Sequence, residues 1–290
     1  MSVSYPLAKP RRMARPRVRI SRPLIYLGAI LIVLWSVGPF LWQFSTSLQL
    51  DRDLIGDRPK LLPIPICFDH FVSIFVAKSF HRYIFNSLVV AGTSTVLCLL
   101  IGAVAAYALA RLDIRGRFGI LGFALAVSMF PQIAVVAPLY VLASNLGWLD
   151  TYRVLILVYL ALGLPFVIWV LFGHFRTIPT TLDEAARIDG ASPLTIFFRI
   201  IVPIALPGIV TTGLLSFIAA WNEFMFALAF TSDIERQTVP VGIANFTDLH
   251  YVPWGDIAAA SVVVTFPLVA LVLIFQRNII SGITGGAVKE

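Results

Sequence analysis

The sequence predicts an all-α membrane protein with about six transmembrane helices. Three observations carry that prediction. Hydrophobic residues make up 59% of the 290 residues and mean hydropathy is +0.90, well above the roughly 45–50% apolar content of soluble domains. Charged residues are only 13%, too few to coat a water-facing surface. The apolar residues also fall in long unbroken runs, not in the short alternating segments of a transmembrane β-barrel. In lipid such runs must satisfy their own backbone groups, which a helix does.

The elements follow in chain order. Seven basic residues, Lys9, Arg11, Arg12, Arg15, Arg17, Arg19 and Arg22, precede the first apolar run, with no acid among them. This concentration explains much of the net charge of +7 as an orientation signal, and nucleic acid is not an expected partner. Residues 1–22 are expected to be a disordered cytoplasmic tail, and 23–290 a single transmembrane domain. The first run, 23–47, is longer than a signal-peptide core, so a retained helix is expected. Five further runs, at 84–110, 118–144, 154–175, 203–230 and 257–280, reach the ~20 residues needed to cross the hydrocarbon. Pro39, Pro131, Pro138, Pro165, Pro207 and Pro267 fall within runs. Membrane helices tolerate proline, and bends there would shape a cavity or hinge.

The connections set the direction. Arg111, Arg115 and Arg117 outnumber Asp113 in the 111–117 loop, and Arg176, Arg187 and Arg199 lie in 176–202. The 231–256 loop instead carries Asp233, Glu235, Asp248 and Asp256 against Arg236. The positive-inside rule then places both termini and the 176–202 segment in the cytoplasm.

The 176–202 segment has its own local order. Thr181 and Glu184 have the spacing of a capping box, so a short helix is expected to start near Leu182. Gly190 is suited to end it in a left-handed conformation. Ser192 followed by Pro193 reads as a second N-cap and first helical residue, and that second helix is expected to end near Pro203. A first helix this short is marginal alone. Leu182, Ala185, Ala186 and Asp189 approximate one flat face, compatible with docking into a partner's groove or with lying on the membrane surface.

These residues carry a resemblance. Glu184-Ala185-Ala186, Asp189-Gly190-Ala191, Ile201-Val202-Pro203 and Pro207 resemble the EAA loop of binding-protein-dependent importers of the ATP-binding-cassette class. Matches at Ala105–Arg111, Met129-Phe130-Pro131, Ala220–Phe224 and Gly282–Lys289 extend the likeness over nearly the whole chain, most closely to carbohydrate permeases of the maltose-transporter type. Val202-Pro203 stands where Leu-Pro is usual, a conservative departure.

The resemblance implies a type I importer permease fold with a cytoplasmic coupling helix, in a bacterial inner membrane. It implies that Glu184, Ala185, Ala186, Asp189, Gly190, Pro203 and Pro207 couple the chain to an ATPase subunit, and that Gly285 and Gly286 reach the ATPase interface. The partners implied are a second homologous permease, an ATPase dimer and an extracytoplasmic solute-binding protein, besides membrane lipid. ATP and Mg would belong to the ATPase, and no cofactor to this chain. The absence of a G-x-x-x-x-G-K-[ST] loop agrees with that division.

Polar residues within apolar runs are costly and often functional. Asn86, Gln132, Asn222 and Glu223 are the notable ones. Asn222 and Glu223 beside Trp221 form a patch suited to sugar hydroxyls and ring faces, or to bonding between helices. The expected cargo is a di- or oligosaccharide, with glycerol phosphate or a polyol as alternatives. A secondary transporter shares the composition but needs no coupling loop. His70, His81, His174 and His250 are scattered, without metal-binding spacing, so neither catalytic nor metal-binding residues are expected. Cys67 and Cys98 are expected to be free thiols.

Overall fold

The computed structural model describes residues 22–56, 60–248 and 251–284, with side chains described as far as 278. The tail 1–21 and the glycines Gly285 and Gly286 lie outside the described residues. Among the described residues every regular element is helical. Five helices among the described residues are long and apolar enough to span a membrane, and a bent pair of helices counts as a sixth where it is taken as one span.

α1 (Arg22–Thr46) contains Pro39 and buries none of its side chains. Its 25 residues extend about 37 Å, enough to cross the hydrocarbon. The chain divides into two units between Trp42 and Gln43.

Two short helices, α2 (Asp51–Leu54) and α3 (Asp69–Val76), lead into α4 (Phe80–Arg111). α5 (Arg117–Ser128) and α6 (Gln132–Asn145) follow, bent by 86° at Met129–Pro131. The expected single helix over 118–144 is therefore corrected to a broken one. Proline has no N–H to donate and pushes the preceding residue away from helical geometry, so the chain breaks there and restarts after Pro131.

α7 (Tyr152–Thr177) continues through Pro165, and the loop helices α8 (Thr181–Ile188) and α9 (Pro193–Ile196) come next. A π-helical turn, Phe197–Ile201, joins α9 directly to α10 (Val202–Trp221). The second loop helix thus does not end near Pro203: helix runs from Pro193 to Trp221. The expected fifth span is corrected at its far end too, since 222–224 is non-helical and α11 (Met225–Phe230) is a separate element. α12 (Val239–Ala244) and α13 (Trp254–Thr284) complete the chain.

α4 packs along α7, and α10 packs against α4, α7 and α13. Small residues allow the close approach. A Cβ on Gly102 would lie 2.7 Å from Val167 Cγ1, one on Gly208 2.8 Å from His174 Cγ, and one on Gly213 2.8 Å from Leu99 Cδ1. Cys67 and Cys98 are both buried free thiols.

The end of the bundle opposite α8 is fastened by polar contacts. Asn86 donates to the carbonyls of Glu235 at 2.9 Å and Gln237 at 2.8 Å, and accepts from the Tyr152 hydroxyl at 2.7 Å. Arg82 pairs with Glu235. Buried His70 sits between Asp256 Oδ1 at 2.9 Å and the Gln49 carbonyl at 2.9 Å. Lys78 Nζ, 3.2 Å from Asp256 Oδ2, completes that cluster.

Candidate functional site

The segment from Thr177 to Val202 is built over an aromatic core. Phe175, Ile196 and Ile201 are fully buried beneath it. The Tyr107 ring lies 6.0 Å from Phe175 and 5.0 Å from Phe197. α8 and α9 therefore cap the joined ends of α4, α7 and α10.

Local chemistry explains part of this shape. Gly190 has φ +80°, a conformation that L-residues other than glycine avoid, and it turns the chain between α8 and α9. Ser192 is the N-cap of α9, with Pro193 in the first turn, and its Oγ accepts from Thr195 N at 3.3 Å. Both features follow the sequence expectation. The capping box does not: Thr180, not Thr181, precedes the first helical residue, its backbone is already helical, and no side chain caps α8. A residue in that conformation does not present its side chain as an N-cap does.

The π turn has a local cause. Pro203 cannot donate to the Arg199 carbonyl, and its ring would crowd that group in a straight α-helix. Instead the Val202 N–H reaches back five residues to the Phe197 carbonyl.

The faces of α8 are also corrected. Ala186 points inward and is buried with the aromatic core, so it is not part of a flat outer face with Ala185. Leu182, Glu184, Ala185, Arg187 and Asp189 are exposed, and Ile188 is 87% exposed. Leu194 and Phe198, farther along the chain, are exposed as well.

The inward polar residue is Asp183, which sequence reasoning missed. It is 4% exposed. Its Oδ1 accepts from the Tyr107 hydroxyl at 2.9 Å, and its Oδ2 lies 3.4 Å from Arg111 Nε. Arg111 also donates through Nη2 to the Ile178 carbonyl at 2.7 Å. Arg111 Nε and Asp183 Oδ2 are at ion-pair distance without hydrogen-bond alignment, and neither has another partner.

The polar residues of the expected solute patch separate. Gln132, Tyr159 and Glu223 line one cavity of about 160 Å³, together with Ser94 and Ser216. Trp221 does not face it: that ring is buried, 5.6 Å from Phe217, in the core shared with Ala259 and Ala260. Asn222 is exposed and donates to the Ile218 carbonyl of its own helix at 2.8 Å. Glu223 accepts from Phe226 N at 2.8 Å, Ala227 N at 3.1 Å and the Tyr159 hydroxyl at 2.6 Å. It thus caps α11 and ties it to α7. A larger cavity of about 610 Å³, in the elbow of α5 and α6 against α7, is lined by apolar side chains such as Phe130, Leu139 and Trp148. Trp148, with its indole N–H, is the one lining residue whose side chain carries a hydrogen-bonding group.

Comparison with known proteins agrees with this architecture. Residues 98–285 match the family described as "Binding-protein-dependent transport system inner membrane component". The trehalose/maltose transport system permease protein MalG of Thermococcus litoralis is 42% identical over 273 residues, covering 93% of this chain and 98% of that protein. The trehalose transport system permease protein SugB of Mycobacterium tuberculosis is 42% identical over 261 residues, covering 89% and 94%. Among solved structures, a bacterial ABC transporter involved in import of the acidic polysaccharide alginate superposes with a TM-score of 0.73 at 24% identity, covering 89% of this chain and 98% of that one.

Proposed function

We propose, from the premise that this chain belongs to the binding-protein-dependent transport system inner membrane components, that it moves a sugar through the membrane in response to ATP hydrolysis by a separate subunit. One observation carries the reading. The outward face of α8, with Glu184, Ala185, Ile188 and Asp189, is exposed on an element whose other face is locked to the spanning helices. A helix held on one side and bare on the other is suited to enter a groove of an ATPase subunit, as the EAA-loop resemblance implies.

The trehalose and maltose named for the two relatives support a di- or oligosaccharide as cargo. We assign the polar cavity with Ser94, Gln132 and Ser216 to the solute path. Glu223 serves as its wall, because its oxygens already accept three hydrogen bonds. The basic 1–22 tail and the basic 111–117 loop support a cytoplasmic position for α8 and both termini. A second permease, an ATPase dimer and an external binding protein complete the proposed complex. ATP and Mg would be held by the ATPase. If the 282–289 tail follows the resemblance, Gly285 and Gly286 meet that subunit too.

Reconstitution tests the reading. The chain alone in proteoliposomes should hydrolyse no ATP. With the three partner components it should import trehalose or maltose only when ATP is supplied on the α8 side. Uptake driven by a proton or sodium gradient without ATP would overturn it. Glu184→Ala and Gly190→Val should leave membrane insertion intact while lowering uptake about tenfold or more, the range of a lost coupling free energy. Normal uptake by both variants would remove α8 from the mechanism.

A further inference from the structure

We propose that Asp183 is the positioning residue through which displacement of α8 is delivered to the spanning bundle, with Tyr107 and Arg111 of α4 as its receivers. The proposal rests on the reading of α8 as the ATPase-docking helix.

Three observations lead there. First, among the described residues Asp183 makes the side-chain hydrogen bond and ion pair that join α8 to a spanning helix. The other inward residue of α8, Ala186, offers apolar contact alone. Apolar packing carries no directional bond, whereas the hydrogen bond between Asp183 and Tyr107 fixes a direction. Second, Arg111 holds both Asp183 and the Ile178 carbonyl, so it grips α8 and the strand of chain leading into it. Third, both receivers sit on α4, which runs without a break to the opposite end of the bundle. From Tyr107 to Asn86 is about 32 Å along a helix, roughly the thickness of the hydrocarbon. There Asn86 holds the carbonyls of Glu235 and Gln237. One rigid helix therefore carries a polar grip at each face of the membrane.

The grip at Asp183 also has slack. The Tyr107 bond is formed, but the Arg111 contact is long and unaligned. A small rotation of α8 that aligns Oδ2 with Nε would tighten the joint, so pressure on the outer face of α8 is converted into a firmer hold on α4.

The test uses the complete complex in proteoliposomes and measures ATP hydrolysed per sugar imported. Asp183→Ala and Tyr107→Phe should keep the ATPase subunit bound through purification. Each should raise that ratio about tenfold, within the usual span of coupling strengths. Asp183→Asn, which still accepts from Tyr107, should fall between Asp183→Ala and the parent. Tyr107→Phe removes one hydroxyl and keeps the ring, so it reports even if Asp183→Ala folds poorly. An unchanged ratio in Tyr107→Phe would overturn the proposal, and so would loss of the ATPase subunit from Asp183→Ala at normal folding. A separate Ile188→Asp variant distinguishes the two readings. If it still binds the ATPase fully, the docking reading fails. If it releases the ATPase while Tyr107→Phe couples normally, only the Asp183 linkage fails.

Discussion

Replacing Glu223 by alanine is expected to destabilise the protein by about 2–4 kcal/mol, because three donors then lose their acceptor inside the bundle. Those donors are the Tyr159 hydroxyl and the backbone N–H groups of Phe226 and Ala227. The two amides belong to the first turn of α11, where a helix has no internal acceptors. Tyr159→Phe, which removes one of the three bonds, should cost about 1 kcal/mol. Glu223→Gln should fall between, since its amide keeps one oxygen but turns an NH₂ toward donors. The check is the melting temperature of the purified protein in detergent, measured without sugar. An unchanged melting temperature in Glu223→Ala would mean that the carboxylate is not a structural cap and is free to bind solute.

The second large effect is expected at Gly255. A Cβ there would stand 2.2 Å from both Cε1 and Nε2 of His70, far inside contact distance. Because Gly255 lies in the first turn of α13, its backbone cannot retreat without distorting the helix. The ring must move instead, and with it go the bonds to Asp256 and to the Gln49 carbonyl. Gly255→Ala should therefore cost about 2–4 kcal/mol, as lost buried hydrogen bonds do. A double-mutant cycle identifies the cause. In a His70→Ala background the ring is gone, and the same glycine substitution should cost less than about 0.5 kcal/mol. Additive losses would show that the collision with His70 is not what matters.

Much of this fold can be read locally, and the exceptions have physical reasons. Long apolar runs locate the passages because the bilayer imposes both length and composition. They do not reveal the break at Met129–Pro131, since proline is tolerated in membrane helices and composition does not change there. Nor do they reveal that 222–224 leaves the helix, although the polar Asn222-Glu223 pair lies at the break. In the loop, Gly190 and Ser192-Pro193 act on their own neighbours, so their roles are legible. The Thr181–Glu184 spacing misleads because the chain enters α8 already in helical geometry at Thr180. Asp183 is hidden for a different reason. Its hydrogen-bond partner Tyr107 is 76 residues away, and in the sequence it is one more acid in the first turn of a surface helix. Trp221 shows the converse: its neighbours in sequence are polar, but packing turns its ring into the core.

The π turn at Phe197–Ile201 fixes an angular phase. A π turn takes in one residue more than the α path, and one residue is worth about 100° of rotation about the helix axis. The azimuth at which α9 meets α10 is therefore set by that single inserted residue. Removing one residue from Phe197–Ile201 would swing everything N-terminal to it through about 100° about the helix axis. Insertions elsewhere in the loop change its reach, but here chain length is converted into heading.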